Sequence, residues 1–172
     1  SGGIAAANQG TLTFMVGGGA HAFNRAEDIL LNMGKTVIHA GASGAGQAAK
    51  ICNNMLLGIQ MIGTCEAFNL AEKLGLDLKK FYDISSVSSG QCWSMTSYCP
   101  VPGVGPSSPA DNGYQGGFAS VLMLKDLRLA VEAAQGSGAS VEMGDRARQL
   151  YEAFSAEGGN GGLDFSAIIR SL

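Results

Sequence analysis

From Gln47 to Leu74 the chain runs almost without charge. Lys50, Glu66, Glu72 and Lys73 are its only charged residues, and apolar side chains fall on nearly every face of a helix drawn through it. A helix that is apolar all round is one buried within a larger structure. At 1.5 Å per residue this one extends for roughly 40 Å, about the width of a domain. The remainder of the chain must be arranged around it.

The stretch before that helix has a different character. Thr11 to Val16 (TLTFMV) is a β-branched and aromatic run between Gly10 and Gly17, and it reads as a strand. Phe23 to Met33 has helical spacing in Phe23, Ala26, Ile29, Leu30 and Met33, with Gly34 as its stop. Lys35 to Ala40 (KTVIHA) is a second strand. Strand–helix–strand is a piece of an α/β sheet, and two strands alone are marginal, so this piece calls for a larger sheet. After Gly75, helices are expected near Lys79–Val87, Phe118–Gln135, Val141–Glu157 and, briefly, Asp164–Arg170, with a Gly/Pro/Ser-rich loop from Pro100 to Gly117. No strand pattern survives past the long helix. The expected fold class is mainly α, with an all-α second part led by the long helix.

Composition narrows the function classes. Hydrophobic residues make up 46% of the 172 and charged residues 15%, ample for a buried core and unlike a disordered chain. The 26 glycines are about twice the usual ~7% share, which indicates many tight turns and close backbone contacts. Net charge is −3 with no run of Lys or Arg, which argues against a nucleic-acid partner, because phosphate backbones require a basic stripe. Cys52, Cys65, Cys92 and Cys99 form no C-x-x-C pair, and His21 and His39 lie near none of them, so no metal site is expected. The thiols are expected reduced, as in an intracellular protein. The uncharged run Ile51–Cys65 is shorter than the ~20 residues of a membrane span, and a soluble protein without a membrane partner is expected.

Two glycine clusters invite a nucleotide reading. Gly17 to Ala22 (GGGAHA) follows a strand, opens a helix and fits G-x-G-x-x-A. A dinucleotide fingerprint also needs an acidic residue ~20 positions on, at the end of the next strand. Ile38, His39 and Ala40 occupy that place. Gly41-x-x-Gly44-x-Gly46 has the spacing reversed, and Glu66, the acid downstream of it, falls inside the long helix. What the second cluster offers is backbone N–H groups at a helix start, where an anion is favoured.

Lys50 and Asn54 follow that cluster at i and i+4, so they project from one face of the helix about a turn apart. One reading is a solvated lysine near a helix start. Against it, a cation in the first turn opposes the helix dipole. The apolar neighbours Ile51, Cys52, Met55 and Leu56 suggest partial desolvation, which lowers a lysine's pKa toward working pH. An amine beside an amide can move a proton to or from a hydroxyl while the amide fixes the substrate. Both readings stand on the residues alone.

The motif Gly44-x-Gly46-x-x-x-Lys50-x-x-x-Asn54 resembles the hallmark of the β-hydroxyacid dehydrogenases. Ser1–Gly18 (SGGIAAANQGTLTFMVGG) is similar to that family's substrate-binding segment, and Lys125–Ala130 (KDLRLA) to its KDLxLA element. KICNNMLLGIQMIGT, SSGQCWS, YCPVPGV and NGYQGGF point within the family to 3-hydroxyisobutyrate as substrate. The resemblance implies a Rossmann NAD-binding domain ending within residues 1–43, its true glycine loop upstream of Ser1, and an all-α substrate and dimerisation domain over 44–172. It implies NAD-dependent oxidation of 3-hydroxyisobutyrate to methylmalonate semialdehyde, a step of valine catabolism. By itself this chain is then expected to be inactive and not to bind NAD tightly. Lys50 is implied as general acid/base. Ser1, Gly2, Gly3, Asn54 and Trp93 are implied as substrate contacts, and Lys125, Phe118 and Asp126 as the cofactor end. Tyr98 is implied at the pocket's border. A homodimer or homotetramer in the bacterial cytoplasm or the mitochondrial matrix completes the expectation. Related reductases of tartronate semialdehyde or 4-hydroxybutyrate type, and a non-catalytic assembly module, are the alternatives.

Overall fold

A computed structural model describes residues 1–172. The chain divides into two compact units, Ser1–Asn53 and Asn54–Leu172.

The first unit runs α1 (Gly3–Asn8), β1 (Leu12–Gly17), α2 (Ala20–Leu31), β2 (Gly34–Gly41) and the opening turns of α3 (Ala45–Lys73). β1 and β2 pair in parallel, with Phe14 opposite Val37, Met15 opposite Ile38 and Val16 opposite His39. Parallel neighbours need a crossover connection, and α2 supplies it. The short α1 (GIAAAN) carries no apolar period and was not foreseen; its alanines favour helix. It folds back on β1 through Thr11 N–H to Ala6 O at 2.8 Å and Thr13 N–H to Ser1 O at 3.0 Å.

The glycines bordering β1 and α3 serve close packing. A Cβ at Gly17 would lie 2.8 Å from the Ala42 carbonyl oxygen and 2.9 Å from the amide nitrogens of Ala45 and Gly46. A Cβ at Gly46 would land on the Met15 carbonyl oxygen. The end of the strand and the start of the helix therefore touch backbone to backbone.

In the second unit the rest of α3 is followed by α4 (Leu78–Ser85), α5 (Trp93–Thr96), α6 (Ser120–Ser137) and α7 (Glu142–Ala156). Short 3-10 helices lie at Pro109–Asn112, Asn160–Gly162 and Phe165–Ser171. Local chemistry sets their ends. Asp77 caps α4 by accepting from the Lys80 N–H at 2.9 Å, and α6 stops at Gly138, which takes the left-handed conformation at φ 74°. The main core joins Met61 and Cys65 of α3, Met123 and Leu127 of α6, and Tyr151 and Phe154 of α7 to Phe165 and Ile168. Each large side chain buried there contributes about 1.5–3 kcal/mol. Gly58 brings α3 close to α6: a Cβ on it would sit 3.2 Å from both Leu127 Cδ2 and Met123 Sδ. A smaller cluster forms around Phe68, Met95 and Cys99, with Phe81 edge-on to Phe68.

The expected mainly-α class, with an all-α second part led by the long helix, does not hold. α3 leads neither unit, because it begins in the first and ends in the second. The second unit also contains an antiparallel β-bridge between Ala119 and Asp164. Around it, Ser120 N–H donates to Leu163 O at 2.8 Å, Phe165 N–H to Phe118 O at 2.8 Å and Asp164 N–H to Tyr114 O at 2.9 Å. The glycine-rich NGYQGGFAS segment has no two-residue alternation to announce this pairing.

Gly46→Ala is expected to lower the unfolding free energy by about 1–3 kcal/mol through backbone displacement. Urea denaturation followed by circular dichroism checks it; an unchanged midpoint would show that the seam between β1 and α3 opens at no cost.

Candidate active site

Within the first unit, a cavity of about 470 Å³ lies beside β1, lined by Ser1, Val16, Gly17, Gly46, Gln47 and Lys50 among others. The close approach of Gly17 and Gly46 brings the first two turns of α3, and with them Lys50, to the strand's end. The Ser1 nitrogen donates to the Thr13 carbonyl oxygen at 2.7 Å. Ser1 and Lys50 thus share one cavity. Gly2 and Gly3 instead start α1, with φ of 126° and 65° that a side chain would resist. Lys50 itself is exposed, where its apolar neighbours in sequence suggested a partly covered side chain.

Asn54 opens the second unit, further along α3, and is buried. Its Nδ2 donates to Asp126 Oδ2 at 2.5 Å, and Lys125 Nζ pairs with Asp126 Oδ1 at 2.7 Å. A carboxylate only accepts, so the amide nitrogen of Asn54 must face it. Asp126 is buried, whereas its neighbour Lys125 is half exposed. Asp126 therefore ties α6 to α3 and holds the ammonium from beneath. The KDLRLA motif singles out Asp126, but its bond to Asn54 was not read from the sequence.

The aromatic residues form a second group in the same unit. Trp93 is 47% exposed and stacks on Tyr98 with centroids 4.7 Å apart and planes 21° apart. The Tyr98 hydroxyl donates to Asp164 Oδ2 at 2.8 Å, and the Phe118 N–H donates to the same oxygen at 2.7 Å. Burial first, then the Asp164 charge and hydrogen bond, push the Tyr98 hydroxyl far above its usual pKa, so it remains a donor. Asp164 escaped the sequence reading. Its one signal is Asp-Phe-Ser, a helix cap, and its side chain does accept from the Ser166 N–H.

No group of three ligating side chains could hold a metal ion, and no helix is long and apolar enough to cross a membrane. All four cysteines are free, and burial raises the pKa of Cys65 and Cys99, which makes them poor nucleophiles.

Residues 44–172 match a family model described as the NAD-binding domain of NADP-dependent 3-hydroxyisobutyrate dehydrogenase. Residues 1–41 match one described as the NAD-binding domain of 6-phosphogluconate dehydrogenase. Both stretches therefore match NAD-binding descriptions, which further overturns the picture of an all-α domain beside a nucleotide-binding remnant. Over its full length the chain is 47% identical to a probable 3-hydroxyisobutyrate dehydrogenase of Mycobacterium tuberculosis, covering 58% of that protein. It is 50% identical over its full length to the mitochondrial 3-hydroxyisobutyrate dehydrogenase of Homo sapiens, covering 51%. The solved Mycobacterium tuberculosis 3-hydroxyisobutyrate dehydrogenase with L-serine superposes with a TM-score of 0.94 at 47% identity, over 99% of this chain and 58% of that one. The chain thus spans just over half the length of the relatives it matches.

Asn54→Ala leaves one oxygen of the buried Asp126 carboxylate without its amide donor. Stability is expected to fall by about 1.5–3 kcal/mol, the range for hydrogen bonds to charged groups. Chemical denaturation measures this, and an unshifted midpoint would mean that water replaces the amide without cost.

Proposed function

This chain belongs to the 3-hydroxyisobutyrate dehydrogenase family, and we propose on that premise that the enzyme it forms part of oxidises 3-hydroxyisobutyrate to methylmalonate semialdehyde, a step of valine breakdown. The single observation that carries this reading is the cavity at the start of α3, where an exposed lysine meets a glycine-bounded strand end.

Lys50 acts as the general base. It takes the proton from the substrate's hydroxyl while hydride leaves the same carbon. NAD, when bound, supplies the hydride acceptor. Loss of the hydroxyl proton and of one hydride from the alcohol carbon gives the aldehyde, and in the reverse direction Lys50 returns the proton. Proton and hydride must leave in one geometry, so the base belongs on a rigid element, and a long helix is one. Ser1 lies on the same cavity as Lys50, which supports it as a contact for the substrate's carboxylate. The backbone of Gly2 and Gly3 is assigned to the same carboxylate.

Asn54 is assigned to the substrate, and its bond to Asp126 supports that role by fixing the amide plane. Lys125 is assigned to the cofactor end. That assignment is supported by an ammonium that is half exposed and held by a buried carboxylate, which suits an anionic ligand. Asp126 steadies it, and Phe118 joins them at that end. Trp93, with its exposed indole, is assigned to the substrate.

The enzyme is further proposed to assemble as a homodimer or homotetramer, supported by the exposed apolar Val121, Leu122 and Leu129 of α6. Its assigned place is the bacterial cytoplasm or the mitochondrial matrix. Sedimentation of the full-length protein decides the first point, and a monomer at micromolar concentration would reject it.

Lys50→Ala in the full-length enzyme is expected to reduce NADH formation on 3-hydroxyisobutyrate by about 10²–10⁴-fold, the share of a positioned acid/base. Matched thermal melting of the variant excludes unfolding as the cause. Activity retained in Lys50→Ala removes the lysine from the reaction. No turnover in wild type on this acid, on tartronate semialdehyde or on 4-hydroxybutyrate favours a non-catalytic assembly role.

A further inference from the structure

Two aspartates are buried in this protein, and the chemistry above uses only one of them. Asp126 pairs with Lys125 and Asn54. Asp164 has no basic partner and no exposed surface, yet both of its oxygens are doubly engaged. Oδ2 accepts from the Tyr98 hydroxyl at 2.8 Å and the Phe118 N–H at 2.7 Å. Oδ1 accepts from the Ser166 N–H at 3.0 Å and the Ser166 hydroxyl at 2.6 Å. Four donors supply what water would have given, so the carboxylate is held in one orientation.

The surroundings are shaped to admit it. Gly117 has φ 66°, and a Cβ there would land on Asp164 Oδ2 and 2.5 Å from the Tyr98 hydroxyl. Only glycine leaves room for the carboxylate and the phenol to meet. Tyr98 also meets the Phe165 ring at 5.5 Å and stacks on Trp93 at 4.7 Å. Phe118 meets the edge of the same Phe165 ring at 5.9 Å. A fully buried charge thus controls, through one hydroxyl and one amide, the rings that lead to a half-exposed indole.

We propose that Asp164 is a positioning residue for substrate selection: through the Tyr98 hydroxyl it fixes the plane of the Trp93 indole, and that plane recognises the branched methyl of the hydroxy acid. The inference rests on the assignment of Trp93 to the substrate. Tyr98 is the link, since its hydroxyl is the sole polar connection between the carboxylate and the stacked pair. A phenylalanine in its place stacks equally well but is free to slide and tilt. Discrimination of one methyl by an apolar pocket is worth about 10–200-fold, so a loosened indole loses part of that range.

The test uses Tyr98→Phe in the full-length enzyme, with Asp164→Asn beside it where that variant folds. Tyr98→Phe is expected to raise KM for 3-hydroxyisobutyrate by about 3–10-fold, to lower kcat less than it raises KM, and to shrink the preference over unbranched 3-hydroxypropionate. Trp93 is this chain's one tryptophan, so its emission, assigned by difference from Trp93→Phe, reports the indole directly. Tyr98→Phe is expected to shift that emission to longer wavelength. Asp164→Asn is expected to move both quantities at least as far. Emission unchanged in Tyr98→Phe overturns the link to the indole. Emission shifted with KM and substrate preference unchanged overturns the selection role, as does an effect in Asp164→Asn that Tyr98→Phe lacks. If wild type oxidises no 3-hydroxy acid, the assigned reaction fails and the selection role with it, while the emission shift still decides whether Asp164 holds Trp93.

Discussion

A carboxylate withdrawn from water must find donors for both of its oxygens, and in the second unit that requirement joins three segments that lie apart in sequence. Asp164 draws its donors from three separate segments: Tyr98 after α5, Phe118 before α6, and Ser166 in the last 3-10 helix. None of these segments has enough apolar length to fix itself. The same residue also donates its own N–H to Tyr114, a non-glycine residue held at φ 64°. That unusual backbone is sustained from two further sides. The Tyr114 hydroxyl donates to Pro100 O at 2.9 Å, and the Arg170 guanidinium lies 4.5 Å over its ring. Strain at one residue is offset by contacts with three other residues.

Asp126 faces the same requirement and meets it differently. It accepts one ammonium and one amide, and the amide comes from a helix distant in sequence. The consequence falls on its partners: the Lys125 cation is tethered but not buried, and the Asn54 side chain cannot rotate its amide without losing a charge-assisted bond. A surface lysine on an ordinary amphipathic helix would have neither constraint. What distinguishes Lys125 is the buried anion beneath it.

Much of this was legible in the sequence, but unevenly. The long uncharged apolar run marks α3, because so long a run has few alternatives. The two strands are visible as short β-branched runs bordered by glycine. α1 was not, since GIAAAN has no apolar face to betray a helix. The bridge of Ala119 with Asp164 was lost because a single pair leaves no alternating signature, and with it fell the all-α assignment. At the site, Lys50 and Asn54 could be picked out by spacing alone. The exposure of Lys50, the bond from Asn54 to Asp126 and the Tyr98 and Phe118 donors to Asp164 could not, because they depend on how distant stretches of chain pack; only the Ser166 donors are local. The first glycine cluster lacks the acid of a dinucleotide fingerprint and the second offers only helix-start N–H groups; Gly17 and Gly46 are instead required by close backbone contact between strand end and helix start.

That contact has a bearing on how such a sequence can drift. Where side chains interlock, an enlargement on one side can be absorbed by a reduction on the other, and pairs of substitutions wander together. At Gly17 and Gly46 the opposing atoms are carbonyl oxygens and amide nitrogens, which every residue carries alike. No neighbour can be trimmed to make room. Each of these two positions is therefore closed to second-site compensation, and the strand-to-helix seam can change only by moving as a whole.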